Sequence, residues 1–237
     1  ANANTFTGLE ANDTISGLGG NDSIGGGFGN ATITGGAGDD TTFGNAGEDT
    51  LDGGTGADTL TGGDGTDTFI IRSGDGGSTI ADADTITDFT DGIDLIGLDG
   101  IASSGLTIAQ GSGSNANDTI IRVTSSGEFL AVLQNTTATN ITASDFVSTS
   151  TEAQTLIGTS GNDVLVGGSG NDIISGLGGS DTIQAAGGND TITVSGKSGS
   201  FTDRIDGGTG TDSLSISFAG IANLGDFSSI SFDMLSI

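Results

Sequence analysis

Aspartate recurs on a nine-residue grid along this chain. Asp13, Asp22, Asp40, Asp49, Asp58 and Asp67 share it, and the one grid point among them without an acid, 31, is alanine. Written from Gly8, seven nonapeptides fill residues 8–70 without a gap: GLEANDTIS, GLGGNDSIG, GGFGNATIT, GGAGDDTTF, GNAGEDTLD, GGTGADTLT and GGDGTDTFI. Their eighth positions are Ile15, Ile24, Ile33, Thr42, Leu51, Leu60 and Phe69, so six of seven are apolar. The grid restarts at Gly158 with GTSGNDVLV, GGSGNDIIS, GLGGSDTIQ and AAGGNDTIT, which carry Asp163, Asp172, Asp181 and Asp190. Four extra residues, 194–197, precede SGSFTDRID and GGTGTDSLS, which carry Asp203 and Asp212. Placed in a loop, such an insertion leaves the strand register intact. A fixed internal period outranks any local reading of secondary structure.

Nine residues suffice for a short strand and a reversal. Three of them, around the eighth position, make a strand whose middle side chain points inward, and the glycines of the other six permit the positive φ that tight reversal demands. Two repeats therefore make one coil with a strand on each side, and stacked coils place parallel strands about 4.8 Å apart. This accounts for 46 glycines beside no proline in a chain that is 32% hydrophobic, too apolar for a disordered tract. Repeats n and n+2 lie above one another, so Asp22 stacks near Asp40, Asp40 near Asp58, and Asp49 near Asp67.

Bare carboxylates about 5 Å apart repel by roughly 3 kcal/mol per pair at an effective dielectric near 20. A divalent cation between them reverses the sign. Calcium fits best, because it takes six or more oxygens and tolerates irregular loops of carboxylate and carbonyl. The competing reading, that these aspartates only form Asx turns, suits an isolated aspartate better than thirteen at repeat positions. The composition agrees. Thirty-one acids against Arg72, Arg122, Lys197 and Arg204 give a net charge of −27, which argues for cations and against nucleic acid or an anionic membrane as partner. The absence of His and Cys excludes zinc, copper or iron sites built from them, and disulfides. It also removes catalytic triads and most acid–base schemes, so no enzyme activity is expected. No apolar run approaches the length of a membrane span.

The repeat resembles the RTX (repeats-in-toxin) family, with its GGxGxDxUx consensus. The motif covers roughly residues 8–98 and 155–215. The resemblance implies an all-β fold of two right-handed parallel β-rolls, with several calcium ions between successive Gly-rich turns, held by the sixth-position aspartates and loop carbonyls. The implied ligands are Asp13, Asp22, Asp40, Asp49, Asp58, Asp67, Asp84, Asp163, Asp172, Asp181, Asp190, Asp203 and Asp212. Asp84, two residues before Ile86, reads as a degenerate eighth repeat after an eight-residue insertion, able to stack on Asp58. Asp88, Asp91 and Asp94 either add a site or bound turns. Ala31 weakens the two sites it borders. One inward residue per nine is little burial against the entropy of so many glycines, so folding and calcium binding are expected to be one event.

Between the arrays the grid disappears. LTIAQ, DTIIRV, GEFLAVLQ and ITASDFV read as longer strands of a small antiparallel sheet, covering the last coil's edge. The organisation expected is a roll with the start of its cap over 1–98, the cap over 99–154, and a second roll over 155–237. The last stretch, SLSISFAGIANLGDFSSISFDMLSI, resembles an uncleaved type I secretion signal and equally suits a closing strand pair. Only seven residues precede the first repeat, an open coil edge that suits head-to-tail contact between copies. Two functions follow as expectations. One is a secreted, calcium-folded structural or adhesive subunit of a bacterial surface that self-assembles. The other is the secretion and folding tail of a larger RTX enzyme or adhesin.

Overall fold

The residue after each grid position of the first array, Ala31 included, begins a strand, at Thr14, Ser23, Thr32, Thr41, Thr50, Thr59 and Thr68. β-Branched threonine favours the extended backbone there. The computed structural model describes residues 2–197, 202–218, 230–231 and 234–236. It divides into two units, residues 1–101 with 105–146, and residues 102–104 with 147–237.

In the first unit successive strands alternate between two parallel sheets. Thr5–Thr7, Ser23–Gly25, Thr41–Ala46, Thr59–Asp64 and Asp84–Ile86 stack in one; Thr14–Gly19, Thr32–Ala37, Thr50–Thr55, Thr68–Arg72 and Leu95–Asp99 stack in the other. Each residue pairs with its counterpart two repeats on, as Thr14 with Thr32, Thr32 with Thr50 and Thr50 with Thr68. Five of these ten strands have six residues rather than the expected three, because the ladder runs on into the glycines. Leu18 pairs with Gly36 and Gly19 with Ala37. The close approach requires glycine: a Cβ on Gly36, whose φ is +118°, would lie 2.7 Å from the Leu18 carbonyl carbon.

The inward row is dry. Ile24, Ile33, Leu51, Leu60, Phe69, Ile86 and Ile96 are fully buried, and Thr42 lies in the same row in register with Ile24 and Leu60. The eight-residue insertion forms the 3-10 turn Ile80–Asp82, after which Thr85 pairs with Thr59 and the roll resumes.

The antiparallel strands of the cap, Leu106–Gln110, Thr119–Val123 and Phe129–Leu133, continue this roll's own sheet. Phe129–Leu133 pairs in parallel with Asp84–Ile86, so the change of direction occurs within one sheet. Ile121, Leu130 and Leu133 join Leu51, Leu60, Phe69 and Ile96 in one buried cluster. The end of the apolar row is thereby covered.

The second unit repeats the pattern. Thr155–Ile157, Ile173–Leu177, Thr191–Lys197, Ser213–Phe218 and Met234–Ser236 form one parallel sheet; Val164–Val166, Thr182–Gln184, Arg204–Asp206 and Ile230–Ser231 form the other. Its core is Leu156, Leu165, Ile174, Ile183, Ile192, Ile205 and Leu214 with their neighbours. Residues 194–197 are not in a loop as expected. They lengthen Thr191–Lys197, and the ladder shifts register between Val194 and Lys197 while Thr191 still meets Ser213. Much of the stretch read as a secretion signal lies outside the described residues. Among the described residues, no helix is long and apolar enough to cross a membrane.

Candidate metal centre

The turns bring the grid aspartates into columns. In one, Oδ1 of Asp22 accepts the Asn4 N–H at 2.6 Å, Asp40 that of Asp22 at 2.7 Å, Asp58 that of Asp40 at 2.7 Å, and Asp84 that of Asp58 at 3.0 Å. In the other, Asp49 accepts from Ala31 at 2.7 Å, Asp67 from Asp49 at 2.9 Å and Asp94 from Asp67 at 3.0 Å. The second unit stacks Gln154, Asp172, Asp190 and Asp212 in one column, and Asp163, Asp181 and Asp203 in the other. Every carboxylate in these bonds reaches back by one coil.

The second oxygen is the informative one. Oδ2 of Asp22, Asp40, Asp49, Asp58, Asp67 and Asp190 is buried and accepts no hydrogen bond, and these residues are 1–3% exposed. An ionised oxygen buried in this way costs several kcal/mol unless something positive faces it. At four positions the chain supplies its own donor. Leu9 N–H meets Asp13 at 2.8 Å, Thr90 N–H meets Asp94 at 2.7 Å, Thr159 N–H meets Asp163 at 2.6 Å and Gly168 N–H meets Asp172 at 2.8 Å.

Where a repeat opens with glycine, Oδ2 of its aspartate lies against that glycine, as at Gly17, Gly35, Gly44, Gly53, Gly62 and Gly167. A Cβ on Gly17 would lie 2.6 Å from Asp22 Oδ2 and 2.6 Å from the Gly35 carbonyl oxygen one coil on. On Gly167 it would lie 2.5 Å from Asp172 Oδ2 and 2.6 Å from the Ala185 carbonyl oxygen. Gly35 has the same pairing with Asp40 and the Gly53 carbonyl, and Gly44 with Asp49 and the Gly62 carbonyl. A carboxylate oxygen and a carbonyl oxygen from consecutive coils thus crowd these glycines, which leaves no room for a side chain there. Among the described residues no three acidic side chains gather round one point. One carboxylate per turn beside backbone carbonyls is an oxygen donor set that fits calcium and not zinc.

Burial governs the acidity of these groups. It pushes Asp58, Asp67 and Asp190 up to about 6 and Asp84 up to about 8, with stacked carboxylates adding to the rise. Asp40 and Asp49 also rise through burial.

Sequence reasoning missed three features. Asn4 and Gln154 occupy the aspartate position of a further coil before each array; the apolar Phe6 and Leu156, two residues on, are the signal for them. Of the three acids left open, Asp94 joins a column, Asp88 accepts the Gly62 and Gly63 N–H groups at 2.9 Å each, and Asp91 is exposed. A second ladder runs through the fifth position, where Asn12 accepts the Asn30 N–H at 2.9 Å, Asn30 that of Glu48 at 3.0 Å and Asn171 that of Asn189 at 2.7 Å. The recurring Asn–Asp dipeptide is its signal: one side chain reaches forward a coil, the next reaches back.

Outside the columns, Arg72 binds Asp52 at 2.6 Å, Asp75 at 3.1 Å and Asp99 at 3.0 Å. Burial still pushes Asp75 up to about 6, outweighing the Arg72 charge.

Residues 1–33, 26–51, 34–69, 43–77, 155–192 and 198–215 match the family described as RTX calcium-binding nonapeptide repeat (4 copies), together more than half of the chain. No curated protein matches significantly. Two solution structures are similar, both of subunits of the Azotobacter vinelandii mannuronan C5-epimerase. The AlgE6R3 subunit is 27% identical, with 58% of this chain and 78% of that one covered and a TM-score of 0.39. The AlgE6R2 subunit is 26% identical, with 60% and 91% covered and a TM-score of 0.35. The expectation of no enzyme activity is corrected here, since both similar structures are subunits of an enzyme.

Proposed function

Because the chain belongs to the RTX calcium-binding nonapeptide repeat family, we propose that it is an extracellular scaffold folded by calcium at its two rolls. The observation that carries this is the set of buried Oδ2 atoms without a donor. Asp13, Asp22, Asp40, Asp49, Asp58, Asp67 and Asp84 would hold ions in the first roll. Asp163, Asp172, Asp181, Asp190, Asp203 and Asp212 would do so in the second, and the segment 99–154 covers and connects. Calcium supplies the positive charge that lets these carboxylates stay ionised while buried. The chain's part is to hold one carboxylate oxygen by an amide and leave the other aimed at the turn. A calcium-poor cytosol would leave the chain open for export, and extracellular calcium at roughly 10⁻⁴–10⁻³ M would fold it.

Self-association is the second element of this reading. It is supported by the way coils join, through parallel pairing of one strand with the next coil's, as Thr14 with Thr32, a pairing that coils of two copies can also make. The alternative role is the secretion and folding module of a longer RTX protein. Light scattering during calcium titration of chelated protein separates the two. A molar mass rising well above 22.9 kDa is expected for the assembling scaffold. A shrinking radius at constant mass identifies the module, and no change in either contradicts calcium-driven folding.

A further inference from the structure

The eight-residue insertion and the cap, which the nine-residue period does not explain, meet at a groove of about 520 Å³ on the outer face of the cap sheet. Ala109 pairs with Ile120 and Thr107 with Arg122, so these four share one face, while Ile108 and Ile121 pair on the other, toward the roll's core. A bulge brings Phe129 to the groove. Ile121 pairs with Ala131 but Arg122 with Phe129, which leaves Leu130 over for the core. The insertion supplies one wall: Gly77 and Phe129 exchange backbone hydrogen bonds at 2.8 and 3.3 Å, and Ile80 packs on the cluster of Ala83, Ile120 and Val132. The loop 111–115 supplies the other. Arg122 lies over the Phe129 ring, 5.3 Å from its centroid. Among the described residues its guanidinium forms no ion pair, whereas Arg72 holds three carboxylates. The acids nearest the groove's walls in sequence are spent on chain donors, Asp82 on Thr79, Asp118 on Asn115 and Asn135, and Glu128 on Ser73 and Gly74.

We propose that this groove binds a small organic acid, with its carboxylate on Arg122 and its apolar body against Ile80, Ile120 and Phe129. An arginine set over an aromatic face offers its planar edge of N–H groups to a carboxylate, which it holds by two parallel hydrogen bonds. A groove of this volume suits a small molecule. The net charge of −27 opposes an anion at long range, but physiological salt screens it beyond about 8 Å and leaves the nearby Arg122 to decide. The groove lies outside the aspartate columns, and the inference does not rest on the calcium reading.

The test is a ligand-observed NMR titration of the whole chain in saturating calcium, with phenylbutyrate and, as its uncharged counterpart, phenylbutyramide. Phenylbutyrate is expected to bind about tenfold more tightly than the amide, as one charge-assisted pair provides. Arg122→Gln is expected to weaken phenylbutyrate about tenfold and to leave the amide unchanged. Ser112→Glu, at an exposed position on the loop wall, is expected to weaken the acid and not the amide. No binding of phenylbutyrate, or equal binding of acid and amide, overturns the proposal. So does a phenylbutyrate affinity unchanged in Arg122→Gln, which would place the acid on bound calcium instead. If Arg122→Gln loses native strand content by circular dichroism, Ser112→Glu decides, and an unchanged acid affinity there overturns the proposal. A response to a peptide ending in phenylalanine, with none to phenylbutyrate, would assign the groove to a protein terminus and overturn it too.

Discussion

At Asp40 one carboxylate oxygen is tied to the Asp22 N–H and the other is buried without a donor. The residue is built to be incomplete. Ala31 is the converse case, a methyl where the grid calls for a carboxylate, with its N–H still given to Asp49. Ala31→Asp is expected to raise the calorimetric calcium stoichiometry by one, and an unchanged value would contradict the column register. Thr42 tests the interior. Its hydroxyl is fully buried, has no hydrogen-bond partner and lies in register with Ile24 and Leu60. Thr42→Val keeps the shape and removes an unsatisfied polar atom, so chemical denaturation in calcium should show a gain of about 1 kcal/mol. A loss would mean that the hydroxyl has a partner in solution.

Coil by coil, protons and calcium compete for the same oxygens. Asp58, Asp67 and Asp190 lie at about 6 and Asp84 at about 8, against an ordinary value of 3.8. The folded, ion-free roll therefore binds more protons than the unfolded chain between those values. Its stability is greatest below about pH 4 and is lost as pH rises through 6 and then 8. In chelator, strand content by circular dichroism should grow as pH falls from about 8 to 4, and calcium affinity should weaken over the same range. Strand content that is flat with pH would show that these carboxylates are not buried in the ion-free chain. At this scale much of the architecture was legible in the sequence, because a nine-residue period fixes which residues stack. The stacking of Asp84 on Asp58 across an insertion could be read from the two-residue step to Ile86. The extra coils at Asn4 and Gln154 could not be read from aspartate spacing, because they keep the apolar residue and lose the acid. Nor could the six-residue strands, since glycine reads as a turn and here also lets neighbouring backbones approach closely enough to pair. The path of residues 194–197 along a strand likewise depends on register in three dimensions.

For the whole molecule, what matters is how little holds the rolls together without metal. Each coil adds about two buried side chains to the interior and, with them, ionisable groups that resist burial. The cap adds an apolar cluster of conventional kind to the first roll, through Ile121, Leu130 and Leu133. The chain's charge of −27 opposes compaction further. Folding without calcium must overcome all of these terms, and folding with it turns the largest of them into attraction. The most direct test is far-UV circular dichroism at neutral pH, first in excess chelator and then with calcium added to millimolar levels. The account predicts a largely unfolded spectrum that gains strand signal cooperatively as calcium is added. A spectrum already rich in strand in chelator, unchanged by calcium, would contradict it.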